Sequence, residues 1–76
     1  MTAAEWIAAF AAGLGIEVPD QATVDALLAL AGDAAHASER VAAPIACYLA
    51  GVSGMDVVSA RQLAATLAEG PPTASR

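Results

Sequence analysis

His36-Ala37-Ser38-Glu39-Arg40-Val41-Ala42-Ala43-Pro44 lies at the middle of the chain and separates two helical patterns. Upstream of it Val24, Leu27, Leu28, Ala31 and Ala35 recur at helical spacing. Downstream Ile45, Tyr48, Leu49 and Val52 do the same. Pro44 lacks an N–H and steers Ala43 towards extended geometry, so one helix does not run through both patterns. The spacing therefore predicts a second helix capped by Asp20 and ending near Ala37 or Ser38. A third helix is expected to begin with Pro44 in its first turn, where a missing N–H does no harm.

This corner also carries most of the polar chemistry. His36 and Arg40 stand near the carbonyl end of the second helix, where cations meet the helix dipole and can bond the last carbonyls. The first reading is a structural tie between two helix ends, with Glu39 closing the network. Val41, Ala42 and Ala43 offer no side-chain acceptor, so the first amides of the third helix need another partner. The second reading is accordingly a small anion, such as a phosphate or nucleotide, held by His36, Arg40 and the amides of Ile45 and Ala46.

The outer segments are helical too. Thr2 and Glu5 have capping-box spacing at the start of a helix expected over residues 3–14. Trp6, Ile7, Phe10 and Leu14 form its apolar stripe, and with so few aromatics in the chain Trp6 is expected in the core. Gly13 and Gly15 lie where a C-terminal cap belongs, followed by the extended connector Ile16-Glu17-Val18-Pro19. A fourth helix is expected from Asp56 to about Glu69, with Val57, Val58, Ala60, Leu63, Ala64 and Leu67 inward. Gly32 and Gly51 suggest close helix approaches. Gly70-Pro71-Pro72 stops the pattern, leaving a disordered tail at residues 70–76 and a single domain at residues 1–69. The fold class is all-α, a compact array or bundle of four short helices.

Composition narrows the function. The 76 residues are 58% hydrophobic with only one Trp, one Phe, one Tyr and two Met, because alanine supplies most of that fraction. Alanine favours helix but buries little area per residue, so a partner or second copy is a natural source of extra stability. Net charge is −5, and the only cations are Arg40, Arg61 and Arg76. Three scattered arginines cannot form the extended basic patch that neutralises a phosphate backbone, which argues against nucleic acid and against an anionic membrane surface. The run Val41–Met55 is charge-free but too short to span a bilayer, and no signal peptide is expected. The single Cys47 excludes an internal disulfide and fits a reducing cytoplasm.

No catalytic constellation appears. Cys47 lies mid-helix between Ala46 and Tyr48 and reads as a packed residue. Asp33 and His36 are spaced for a solvated pair on one helix. One His, one Cys and scattered carboxylates lack metal-ligand spacing, and no glycine-rich phosphate loop precedes a lysine. The chain is thus expected to be neither an enzyme nor a holder of a cofactor. Gly54-Met55-Asp56-Val57-Val58 resembles the corresponding segment of acyl carrier proteins, but Val57 stands where their arm-bearing serine is required.

The pattern His36-x-x-x-Arg40, Ala43-Pro44-Ile45 and Tyr48-Leu49-x-Gly51, with Glu5-Trp6-Ile7 at the start, resembles a small actinobacterial domain of unknown function. The resemblance extends to about Glu69; Val41 departs from it, standing where a proline follows the arginine. That family occurs alone and as a C-terminal appendage of molybdenum cofactor guanylyltransferase-like proteins. The resemblance implies a cytoplasmic setting in molybdopterin-guanine dinucleotide biosynthesis. The family's molecular role is not established, so the resemblance transfers no catalytic residues; the expected role is a non-catalytic accessory or interaction module with a guanylyltransferase, a molybdoenzyme or a second copy (a homodimer) as partner.

Overall fold

A computed structural model describes residues 1–68. Four helices follow one another, α1 (Ala3–Leu14), α2 (Gln21–Ala37), α3 (Ala42–Ser53) and α4 (Val57–Ala68), with no strand among the described residues. The expected tail at residues 70–76 lies outside the described residues.

The helix ends are set by the chemistry read from the sequence. Thr2 Oγ1 accepts from the Glu5 amide at 3.1 Å, and Glu5 Oε1 accepts from the Thr2 amide at 2.8 Å, completing the capping box. Asp20 accepts from the Thr23 amide at 2.8 Å. Asp56 does the same for Ser59 at 2.8 Å, and its other oxygen accepts from the Ser59 hydroxyl at 3.0 Å. These bonds favour the ionised acids, so the Asp20 and Asp56 carboxyls lie below the usual carboxylate range. Gly15 and Gly54 close α1 and α3 at φ 77° and 75°, the left-handed region where glycine carries no Cβ penalty.

Packing departs from the sequence expectation. α2 lies against both α3 and α4, which straddle it, while α1 has no comparable packing partner. Among the half-buried residues of these three helices are several small ones: Ala26 and Ala29 of α2, Ala46 and Ala50 of α3, and Ala60 and Ala64 of α4. Only Leu30, 3% exposed, and Ala11, 5% exposed, are buried among the described residues.

The stripes assigned to the interior are therefore largely corrected. Trp6 is 55% exposed, with Ile7, Phe10 and Leu14 exposed beside it. Trp6 instead stacks on Phe10, with centroids 4.9 Å apart and planes at 20°. Ile45, Tyr48, Leu49 and Val52 are exposed along α3, as are Leu28 on α2 and Val58, Leu63 and Leu67 on α4. Val24, Leu27, Ala31, Ala35 and Val57 keep their inward side, each half-buried. Gly32 and Gly51 mark no close crossing, since a Cβ at either would meet nothing within 4 Å.

Candidate functional site

The corner between α2 and α3 is closed by its own backbone. Ser38 ends α2, its amide and its hydroxyl both donating to the Ala34 carbonyl at 3.1 Å. Val41 is the N-cap of α3 in right-handed geometry and supplies no side-chain bond. The Ala42 and Ala43 amides donate back to the Glu39 and Arg40 carbonyls at 2.9 and 3.1 Å. Pro44, the third residue of α3, has no N–H to satisfy. The Ala42 and Ala43 amides are thus paired within the corner itself. Ile45 and Ala46 come one and two residues after Pro44 in α3.

The side chains of the predicted set are dispersed. His36, Glu39 and Arg40 are exposed, and none makes a side-chain hydrogen bond or ion pair among the described residues. Closure of α2 falls to Ser38 rather than to a basic tie. His36 opens onto a polar cleft that Asp33, Arg61 and Ala65 also line. Ala46 lines a different cavity, an apolar groove.

The polar link that does form joins α2 to α4. Arg61 donates from Nε to Asp33 Oδ2 at 2.7 Å and from a terminal nitrogen to Oδ1 at 3.3 Å. This fork-on-carboxylate geometry suits arginine and not lysine. The Arg61 hydrogen bond, aided by its charge and that of nearby His36, holds the Asp33 carboxyl below the usual range. The same bond raises the Arg61 guanidinium. Sequence spacing pairs Asp33 with His36 on its own helix. A partner 28 residues away leaves no local pattern, and the available signal was that Arg61 is the lone cation of the fourth helix.

The second feature is the groove itself, a cavity of about 320 Å³ between α3 and α4 with Leu30 in its lining. Leu49, Met55, Leu63 and Leu67 line it with small residues between them, and no charged residue takes part. Cys47 lies half-buried behind it, its thiol donating to the Leu27 carbonyl of α2 at 3.8 Å. No group of three or more potential metal ligands occurs among the described residues. No helix among them is long and apolar enough to cross a membrane.

Residues 1–74 match the family described as domain of unknown function DUF6457. The chain belongs to this family. The DUF6457 match takes in α1, the corner and the groove together, so all three are parts of one family unit. No curated protein and no solved structure matches the chain.

Proposed function

We propose that this DUF6457 domain is a non-catalytic protein-interaction module that serves molybdopterin-guanine dinucleotide biosynthesis in the cytoplasm. One observation carries the interaction role: among the described residues only Leu30 and Ala11 are buried, while apolar stripes on α1, α3 and α4 face outward. Soluble monomers rarely expose contiguous apolar surface beyond a few hundred Å², and larger patches mark docking sites. The setting rests on the resemblance of the His36–Gly51 pattern to the actinobacterial domain appended to molybdenum cofactor guanylyltransferase-like proteins. A guanylyltransferase or a molybdoenzyme is then the partner.

Capture with the tagged chain from an actinobacterial lysate tests the setting. Recovery of a guanylyltransferase or molybdoenzyme, lost when Leu49 and Leu63 are changed to Gln, is the expected result. Recovery of no cofactor-pathway protein would refute the setting. A second reading keeps a small anion at the corner, favoured by the lack of any side-chain partner for Arg40 among the described residues. Inorganic phosphate titrated against the amide resonances of His36, Arg40, Ile45 and Ala46 tests it, and unmoved resonances at millimolar phosphate would end it.

A further inference from the structure

We draw no further inference here: the strongest candidate, the charge-free apolar groove between α3 and α4, carries nothing because nothing in the structure shows what covers it.

Discussion

Leu30 and Leu28 stand two residues apart on α2 and test the packing of the whole domain. Leu30 is 3% exposed and Leu28 is 68% exposed. Truncating a buried leucine to alanine costs about 2–5 kcal/mol, the spread reflecting how well the site relaxes. Leu30 borders the open groove, where neighbouring side chains have room to move, so the lower part of that range applies, about 2–3 kcal/mol. Leu28 has only about a third of its surface to lose, which corresponds to less than about 1 kcal/mol. A chain of this length has a total stability of only about 4–10 kcal/mol. Leu30→Ala should therefore lower the thermal midpoint by about 10–20 °C, and Leu28→Ala by less than about 5 °C. Circular dichroism melts of both variants at one protein concentration provide the measurement. Equal shifts, or a larger shift for Leu28→Ala, would mean that α2 presents a different face to α3 and α4, and the argument would fail.

Glycine substitutions should act in opposite directions. Gly32→Ala should raise stability by about 0.5–1 kcal/mol, since the position is mid-helix, has ordinary φ and leaves space for a Cβ. Gly15→Ala should lower it by about 1 kcal/mol, because its cap geometry at φ 77° disfavours any side chain even with open space around it; urea melts measure both. Asp20, Asp33 and Asp56 have carboxyls depressed below their ordinary value of 3.8 in the folded chain. Their contribution is complete above that value and disappears as pH falls through the lower folded values, so midpoints measured against pH should drop below about pH 4. A stability profile unchanged down to the acid limit would contradict these hydrogen bonds. Arg40→Ala should leave the midpoint unchanged, because its side chain bonds to nothing among the described residues. Unfolding by that substitution would restore the corner as a structural tie.

Local structure was legible in the sequence because its causes are local. The Thr2–Glu5 box, the Asp20 cap, and the Gly15 and Gly54 closures each depend on residues within a turn of one another. Burial was not legible in the same way. Helical periodicity identifies an apolar face but says nothing about what covers it. Trp6, Phe10, Ile45 and Leu49 lie on faces correctly grouped by spacing and are nonetheless exposed. Alanine reverses the usual logic here, since Ala46, Ala50, Ala60 and Ala64 are half-buried while their bulky neighbours Leu49 and Leu63 are exposed. At the corner, side-chain reasoning saw an uncapped helix, whereas the backbone of Glu39 and Arg40 supplies the acceptors. Composition carried no sign of that solution.

The stacked pair Trp6 and Phe10 has a practical consequence for optical measurements. Trp6 is the lone tryptophan, and it stands on the helix that shares least with the other three. Its emission spectrum follows the surroundings of α1, whereas far-UV ellipticity is weighted towards α2, α3 and α4. Denaturation curves from the two signals need not superimpose, a mismatch often taken as proof of a folding intermediate. In this chain such a mismatch has a simpler origin: the chromophore and most of the ellipticity occupy different parts of the fold.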